Sequence, residues 1–281
     1  MRTLSGRAKL AGVMGWPVAH SRSPCLHGFW LSQNDIDGAY LPLPVQPENL
    51  AAALKALPAL GFAGVNLTVP HKVAALGLVD RLSDEAKRIG AVNTVVVASD
   101  GRLEGSNTDG YGFLAHLKAS APQWRPKNGP AVLLGAGGAA RAIAVALQDA
   151  GVEEVRLVNR TVARAEELAA AFGKQIKTVA WQDRALALKD AGLLVNSTTL
   201  GMSGQPALEI GLDHLPRSAA VYDIVYVPLE TPLLAAARSR GNPTVDGLGM
   251  LLHQARPGFA AWFGIEPEVT PELREFVLAG Q

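Results

Sequence analysis

Short apolar runs alternate with helix-like patterns along almost the whole chain, and this alternation is typical of an α/β protein with largely parallel sheets. In the first part of the chain, the apolar runs predict strands at residues 10–14, 38–43, 64–67 and 93–98. The patterns between them predict helices at residues 24–33, 47–60 and 83–89. Ser99-Asp100-Gly101-Arg102 predicts a hairpin turn that leads into a short antiparallel strand.

A loop at residues 122–130, with three prolines and a glycine, separates this part from a second α/β series. Strands are predicted there at residues 131–134, 155–158, 193–196 and 220–225, and helices at residues 138–150 and 162–172. A long helix at residues 248–263 follows. It places Leu251, Ala255, Phe259 and Trp262 on one face.

The composition fits this architecture and excludes several partners. The chain has 281 residues, 48% of them hydrophobic, which suffices for one large or two ordinary domains. With 26 basic and 25 acidic side chains, a net charge of +1 gives no reason to expect nucleic acid or an anionic membrane as a partner. The single Cys25 cannot form an internal disulfide, and no uncharged apolar stretch is long enough to cross a bilayer. We therefore expect a cytoplasmic protein.

The segment at residues 131–143 combines a buried strand, a glycine-rich turn and the start of a helix. The turn has the sequence Gly135-Ala136-Gly137-Gly138-Ala139. Gly135 permits the tight turn, Gly137 lets the backbone approach a pyrophosphate, and Ala140 lets the helix pack on the strand. The phosphates would then meet the free N–H groups of the helix N-terminus. A tight turn without a ligand is the alternative explanation.

The end of the next predicted strand favours one dinucleotide over another. Enzymes that use NAD usually place an acidic residue here, where it binds the ribose 2′-hydroxyl. This chain has Asn159-Arg160-Thr161 instead, and Arg164 follows one helical turn later. Two guanidinium groups suit a 2′-phosphate, which a carboxylate would repel. The sequence therefore predicts NADP (NADPH) as the cofactor; a solvated pair of surface arginines is the alternative.

One lysine stands where helix electrostatics disfavour a cation. The sequence Asn66-Leu-Thr-Val-Pro-His-Lys72 predicts a strand that turns into a helix, with Pro70 as the first helical residue. Lys72 would then lie in the first turn, where the helix dipole disfavours a cation by up to about 1 kcal/mol. An accidental position and a functional one both explain this placement.

Two serines near the N-terminus have unequal explanations. Ser23 followed by Pro24 predicts a helix start with Ser23 as the N-cap. Capping leaves Ser21 without an assigned role. The neighbouring histidine suggests a hydrolase, but the sequence contains nothing like a nucleophile elbow around these serines, so we reject that interpretation.

Three further polar residues allow both structural and functional explanations. Asp109 precedes a predicted helix at residues 113–118 and is explained by N-capping, and Asn93 is explained by a turn. Gln254 lies on the apolar side of the last predicted helix, where its amide needs a partner such as a bound hydroxyl. The six histidines and one cysteine have no metal-ligand spacing, so we expect no metal.

Seven short motifs follow one another along the chain. They are Gly15-x-Pro-x-x-His-Ser-x-Ser-Pro24, Asn66-x-Thr-x-Pro-x-Lys72, Gly90-Ala-Val-Asn-Thr94, Asn107-Thr-Asp-Gly110, Gly135-Ala-Gly-Gly-Ala139, Asn159-Arg-Thr161 and Asp246-Gly-Leu-Gly-Met250. In this order they closely resemble the shikimate dehydrogenase family, over nearly the whole chain. The resemblance implies two α/β domains. An N-terminal α/β substrate-binding and catalytic domain would comprise residues 1–108 plus 247–281, and a Rossmann-type doubly wound NADP-binding domain residues 109–246.

The resemblance also implies an activity and a set of site residues. The activity is the reversible reduction of 3-dehydroshikimate to shikimate by NADPH, in the chorismate pathway of aromatic amino acid biosynthesis, with Lys72 and Asp109 as the catalytic pair. The residues implied to bind the substrate are Ser21, Ser23, Thr68, Lys72, Asn93, Asp109, Tyr226 and Gln254. The residues implied to bind NADP are Gly135, Ala136, Gly137, Gly138, Ala139, Asn159, Arg160, Thr161, Arg164, Thr198, Ile224, Gly247 and Asp84.

The residue types agree with that chemistry. Reduction of a ketone needs a hydride donor and a proton donor at the new alkoxide, and an ammonium group can supply the proton. A carboxylate beside the lysine would orient it and favour its charged form.

Two residues depart from the family pattern, and two other functions compete. His71 occupies a position that is often aromatic in the family, and Trp16 one that is usually small or polar, so fine substrate preference stays open. A paralogue that acts on quinate or prefers NAD is one alternative. A non-catalytic NADP-sensing protein is the other, although it would not need Lys72 and Asp109 together. We expect a monomer or a homodimer.

Overall fold

The computed structural model describes residues 3–280, which form two compact units. Unit 1 contains the chain up to Thr108 and again from Leu251, and unit 2 contains Asp109–Met250. The sequence interpretation divides the chain after residue 246 and not after Met250. The difference arises because Met250 packs in a hydrophobic core of unit 2 that also contains Tyr222.

Twelve strands and nine α-helices are described within residues 3–280. The strands are β1 (Lys9–Gly15), β2 (Gly38–Pro44), β3 (Phe62–Leu67), β4 (Arg81–Leu82), β5 (Thr94–Val97), β6 (Leu103–Ser106), β7 (Ala131–Leu134), β8 (Val155–Val158), β9 (Ile176–Val179), β10 (Leu193–Asn196), β11 (Ala220–Asp223) and β12 (Thr244–Val245). The α-helices are α1 (Ser23–Gln33), α2 (Leu50–Ala56), α3 (Asp84–Ile89), α4 (Asp109–Ser120), α5 (Gly138–Asp149), α6 (Val162–Phe172), α7 (Pro232–Ser239), α8 (Leu248–Phe263) and α9 (Pro271–Ala279). No helix in this part of the chain is both long and apolar enough to span a bilayer.

Unit 1 contains a six-stranded mixed sheet in the order β2-β1-β3-β5-β6-β4. Strand β1 is parallel to β2 and β3, whereas β5 is antiparallel to both β3 and β6. The predicted hairpin is confirmed, because the Ala98 N–H donates to the Arg102 carbonyl oxygen at 2.9 Å and Val97 pairs with Leu103. The parallel strands β1 and β3 thus end at one edge of this sheet, and the loops that follow them carry several of the predicted site residues.

Unit 2 contains a six-stranded parallel sheet in the order β12-β11-β10-β7-β8-β9. The chain runs outward from β7 through β8 to β9, returns to β10 beside β7, and continues outward to β12. Strand order reverses between β7 and β10, where doubly wound folds bind ligands beyond the carboxyl ends of their strands. Strands β7, β10 and β11 are buried at every residue, as parallel strands covered on both faces require. The predicted α/β class is confirmed.

The predicted helix at residues 47–60 is shorter in the structure. A 3₁₀ turn at Pro47–Asn49 leads into α2, which ends at Ala56. Pro58 accounts for this end, because proline has no N–H to donate and its ring clashes with the carbonyl of the preceding helical turn.

Helix α1 buries a histidine without a polar partner. His27 is fully buried, and neither ring nitrogen has a hydrogen-bond partner within the described residues. Its ring stacks on Tyr40, with centroids 3.8 Å apart and an interplanar angle of 3°. Burial lowers the pKa of His27 from 6.5 to about 3. The neutral ring is therefore favoured in the folded protein.

Replacement of His27 by phenylalanine should make the protein more resistant to acid. Because the folded-state pKa is depressed, the stability associated with neutral His27 is complete above pH 6.5 and is lost as the pH falls toward 3. That loss is up to about 1.4 kcal/mol per pH unit, or about 2 kcal/mol at roughly pH 5, and His27→Phe should abolish it. Urea unfolding at about pH 7.5 and pH 5 measures the difference. The exposed His214→Phe is the control, and the same pH dependence in His27→Phe and the wild type would contradict the prediction.

Candidate functional site

Unit 1 contains a buried cluster of amide and hydroxyl groups around Asn93. Asn93 is 1% exposed, and its Nδ2 donates to Thr108 Oγ1 at 3.0 Å and to Gln254 Oε1 at 3.1 Å. Its Oδ1 accepts from the Thr108 N–H at 2.9 Å. Asn93, which directly precedes β5, therefore bonds both to Thr108, just after β6, and to Gln254 on α8. The explanation of Asn93 as a local turn residue is wrong.

Gln254 has protein partners on both sides of its amide. Its Oε1 accepts from Asn93, and its Nε2 donates to the Leu251 carbonyl oxygen at 3.1 Å. The main-chain carbonyl oxygen of Gln254 accepts from Thr108 Oγ1 at 2.8 Å. The expected need for a partner is thus met by the protein, and the cluster holds Gln254 and Asn93 in one fixed arrangement.

The segment that carries Thr68 and Lys72 is not the start of an α-helix. It forms turns, and the 3₁₀ helix that follows begins only at Ala74. The Lys72 carbonyl oxygen accepts from the Val92 N–H at 2.8 Å, so this backbone group is bonded outside any helix. The placement of Lys72 in a first helical turn, with Pro70 as the first helical residue, is therefore wrong, and the dipole argument does not apply. Lys72 is half-buried.

The two serines lie at the start of α1. Helix α1 begins at Ser23 itself, and Arg22 occupies the N-cap position without a side-chain cap. Ser21 Oγ accepts from the Ser23 N–H at 3.3 Å. The assignment of Ser23 as the N-cap is therefore wrong by one residue, because the Ser21 hydroxyl accepts the first N–H of the helix.

The Ser23 side chain leads into the polar interior of unit 1. It is hydrogen-bonded to the phenol of Tyr40, whose Oη donates to Asn66 Oδ1 at 2.6 Å. Asn66 Nδ2 donates to the Asn93 carbonyl oxygen at 3.1 Å. Burial raises the pKa of Tyr40 well above 10, so the phenol remains protonated and can donate. A hydrogen-bonded chain therefore connects Ser23 to the Asn93 cluster.

The two predicted carboxylates have different environments. Asp109 is the first residue of α4 and is 4% exposed, so it lies inside the helix and does not precede it as a cap would. A negative charge in a first helical turn is favoured by the helix dipole. Asp84 is exposed, and its carboxylate pairs with Lys87 at 3.0 Å on α3.

In unit 2 the glycine turn connects β7 to α5 at the reversal of strand order. Gly135 has φ +108°, and a Cβ there would meet Ser197 Oγ at 2.7 Å, so only glycine fits. Gly137 is the N-cap of α5, has no side-chain cap, and a Cβ there would meet nothing within 4 Å. Gly138 and Ala139 follow in the first turn of α5. The backbone here is open to an approaching group, as a diphosphate requires.

The cationic segment follows the neighbouring strand, β8. Asn159 Nδ2 donates to the Thr161 carbonyl oxygen at 2.8 Å, and Thr161 is the N-cap of α6. Arg160 and Arg164 are exposed, and neither guanidinium has an ion pair within residues 3–280. Two unpaired guanidinium groups beside a helix start fit a phosphate dianion.

The carboxyl ends of β10 and β11 are tied by a pair of buried polar residues. Asn196 and Asp223 face each other across the two strands, and Asn196 Nδ2 donates to Asp223 Oδ1 at 2.9 Å. Asn196 Oδ1 accepts from Thr198 Oγ1 at 2.7 Å. Thr198, a predicted cofactor residue, is therefore fixed at this edge of the sheet.

Asp223 ends the strand and shapes the segment after it. Oδ1 accepts from the Val225 N–H at 3.0 Å, and Oδ2 accepts from Thr231 Oγ1 at 2.7 Å. This bond to Val225 explains why the strand predicted at residues 220–225 ends at Asp223. Burial raises the pKa of Asp223 to about 6, and the three donated hydrogen bonds oppose that rise.

Gly247 packs directly against the same segment. A Cβ at Gly247 would meet the Ile224 carbonyl oxygen at 2.2 Å and the Val225 carbonyl oxygen at 2.6 Å, so the position requires glycine. The structure thus brings together Ile224 and Gly247, two predicted cofactor residues. Tyr226 is half-buried two residues after Ile224.

Three residues that support the predicted site residues, Asn196, Asp223 and Tyr40, were not predicted from the sequence. Asn196 and Asp223 could have been predicted from the sequence, because each is a polar residue at the carboxyl end of a fully buried strand. Tyr40 carried no such signal, since its bond to Asn66 depends on tertiary packing. Within residues 3–280, no group of three or more His, Cys, Asp or Glu side chains is placed to hold a metal ion.

A glycine turn lies at the reversal point of a parallel sheet, and the exposed Arg160 and Arg164 follow the neighbouring strand β8. This arrangement makes unit 2 a Rossmann-type dinucleotide-binding domain. Family models agree on both parts of the chain. A model of the shikimate dehydrogenase substrate binding domain matches residues 13–95, and a model of shikimate / quinate 5-dehydrogenase matches residues 118–225. The chain belongs to the shikimate dehydrogenase family.

Individual relatives are similar over nearly their whole length. The shikimate dehydrogenase (NADP(+)) of Paramagnetospirillum magneticum is 61% identical, over 98% of this chain and 100% of the relative. The shikimate 5-dehydrogenase of Thermus thermophilus, solved with NADP(H) and shikimate, has a TM-score of 0.85 at 42% identity, over 96% of this chain and 98% of that one. The quinate dehydrogenase of Corynebacterium glutamicum, solved with NAD, has a TM-score of 0.89 at 33% identity, over 97% and 99%.

Proposed function

We propose that this protein is an NADP-dependent shikimate dehydrogenase, an oxidoreductase that reversibly reduces 3-dehydroshikimate to shikimate in aromatic amino acid biosynthesis. One observation carries the proposal. The chain is 61% identical to a protein of that name over 98% of its length, so the similarity spans both unit 1 and unit 2. The activity is therefore assigned to the whole chain and not to one domain.

The substrate is assigned to polar groups of unit 1, four of which have hydrogen bonds within the protein. Ser21, Ser23 and Thr68 present hydroxyls near the ends of unit 1 elements, and Asn93 and Gln254 present amides that their mutual bond holds in place. A carboxylate and several hydroxyls on a small ring need such a mixture of donors and acceptors. We also propose Tyr226 as a substrate-binding residue.

NADP is assigned to unit 2. The glycine turn would bind the pyrophosphate. The 2′-phosphate would be bound by Asn159, Arg160, Thr161 and Arg164. The remaining parts of the dinucleotide would contact Thr198, Ile224 and Gly247. We also propose Asp84 as a cofactor-binding residue. When bound, the cofactor supplies or accepts the hydride.

The protein's own chemistry in the reaction is the handling of a proton. We assign Lys72 as the group that donates a proton to the C3 oxygen when the ketone is reduced and accepts it when the alcohol is oxidised. We assign Asp109 as the second member of the catalytic pair. We further propose a cytoplasmic location, which agrees with the single cysteine, and a monomeric or homodimeric state.

The direct test is the formation of NADPH, followed by its absorbance, when the protein is mixed with NADP and shikimate and then with NADP and quinate. We expect turnover of shikimate with NADP. Turnover should be slower when quinate replaces shikimate or when NAD replaces NADP. A quinate dehydrogenase is the second candidate, because a structural neighbour at a TM-score of 0.89 has that name, and faster quinate turnover would favour it. Tight NADP binding without turnover of either substrate would favour a non-catalytic sensor instead.

A further inference from the structure

His71 lies between Thr68 and Lys72, and its imidazole is 1% exposed. Its Nε2 lies 2.8 Å from the carbonyl oxygen of Val45, the residue that follows β2. A carbonyl oxygen can only accept, so Nε2 carries the proton of this hydrogen bond. His71 thereby connects the segment of Thr68 and Lys72 to the exit of β2.

Backbone bonds hold the same segment at other points. The Trp16 N–H donates to the Val69 carbonyl oxygen at 3.1 Å, and the Val92 N–H donates to the Lys72 carbonyl oxygen at 2.8 Å. The His71 N–H donates to the Thr68 carbonyl oxygen at 2.8 Å and closes a turn. A change of side chain leaves these bonds in place, whereas the imidazole bond is lost with the imidazole.

Val45 is a fixed point for this contact. Its own N–H donates to the Gly15 carbonyl oxygen at 3.1 Å, at the end of β1. The His71 bond therefore relates the turn before Lys72 to two adjacent strand ends. A phenyl ring would fill much the same space but could not donate to Val45, so volume alone does not account for a histidine here.

We propose that His71 is a positioning residue that sets the Thr68–Lys72 segment against the exit of β2 and so aims the Lys72 ammonium. The inference rests on the proposed function, because it takes Lys72 as the group that handles the proton. Proton transfer is sensitive to small displacements, and an error of about 1 Å can cost about 100-fold in rate. His71 itself need not touch the substrate.

Two variants separate the hydrogen bond from the volume. His71→Phe keeps an aromatic ring without a donor, and His71→Gln keeps an N–H donor of similar reach. We expect His71→Phe to lower kcat for shikimate oxidation at least about fivefold, with KM for NADP within about twofold of the wild type. His71→Gln should restore kcat to within about twofold of the wild type. The exposed His214→Phe is the matched control and should leave both constants unchanged.

A second pair protects the test against misfolding of the phenylalanine variant. His71→Met has nearly the length and flexibility of His71→Gln but cannot donate, so kcat should again be lower in the methionine variant. Equal kcat values in His71→Met and His71→Gln, or wild-type kcat in His71→Phe, would overturn the inference. The wild type in the same assay reports the proposed function separately, since its failure to oxidise shikimate would remove that function whatever the variants do.

Discussion

Lys72→Ala should lower kcat for shikimate oxidation by roughly 100- to 10,000-fold, the range typical for loss of a general acid–base group. The reason is chemical: alanine cannot accept the proton that leaves the alcohol as the hydride departs. Lys72 is half-buried in a turn whose ends are held by backbone bonds, so removal of its side chain should leave the segment in place. Shikimate binding should weaken by no more than about tenfold, because the Asn93–Gln254 pair remains.

Single-turnover kinetics and equilibrium binding of shikimate separate these two effects. The exposed Lys55→Ala, in the same unit, controls for the loss of one positive charge. Lys72→Arg sharpens the test, because a guanidinium keeps the charge but cannot readily give up a proton. We expect kcat to stay low in that variant as well. Turnover at the wild-type rate in Lys72→Ala would remove Lys72 from the mechanism.

Elements with local causes could be predicted from the sequence, and unit 2 shows why. Its parallel strands are mostly apolar and largely buried, and β7, β8 and β10 begin and end where predicted. The glycine turn was equally visible, because the φ of +108° at Gly135 is a local requirement of the backbone. Where the end of an element depends on a distant partner, prediction failed: β11 ends at Asp223 because of bonds that its carboxylate makes to residues beyond the strand.

In the candidate site, too, features with local causes could be predicted and features that depend on distant partners could not. The sequence singled out Asn93 and Gln254 separately, but nothing local indicated that they bond to each other across 161 positions of the chain. The helix expected at Lys72 failed for a similar reason, since the Lys72 carbonyl group bonds to Val92 and not to a residue of its own turn. The substrate and cofactor roles of the site residues were drawn from family resemblance and stay predictions.

Arg160→Ala should weaken NADP far more than NAD. Arg160 is exposed at the end of β8 and has no ion pair within the described residues, so its guanidinium is available to a phosphate. A hydrogen bond to a charged group is worth about 1.5–3 kcal/mol, which corresponds to a rise of roughly 10- to 100-fold in KM for NADP. NAD has a hydroxyl in place of that phosphate, so its KM should change by less than about threefold.

The comparison of the two cofactors within one variant makes this prediction sharp, because a general loss of structure would weaken both. Arg238→Ala, an exposed arginine on α7 that pairs with Glu230, is the matched control and should alter neither KM. The 2′-phosphate contact also predicts that added salt weakens NADP binding more in the wild type than in Arg160→Ala, since screening acts on the lost charge pair. Equal losses for NADP and NAD would place Arg160 at a part of the dinucleotide that both cofactors share. The carbonyl-reducing half of the proposal would then stand, because it rests on Lys72 in unit 1, while the choice of NADP would need another residue.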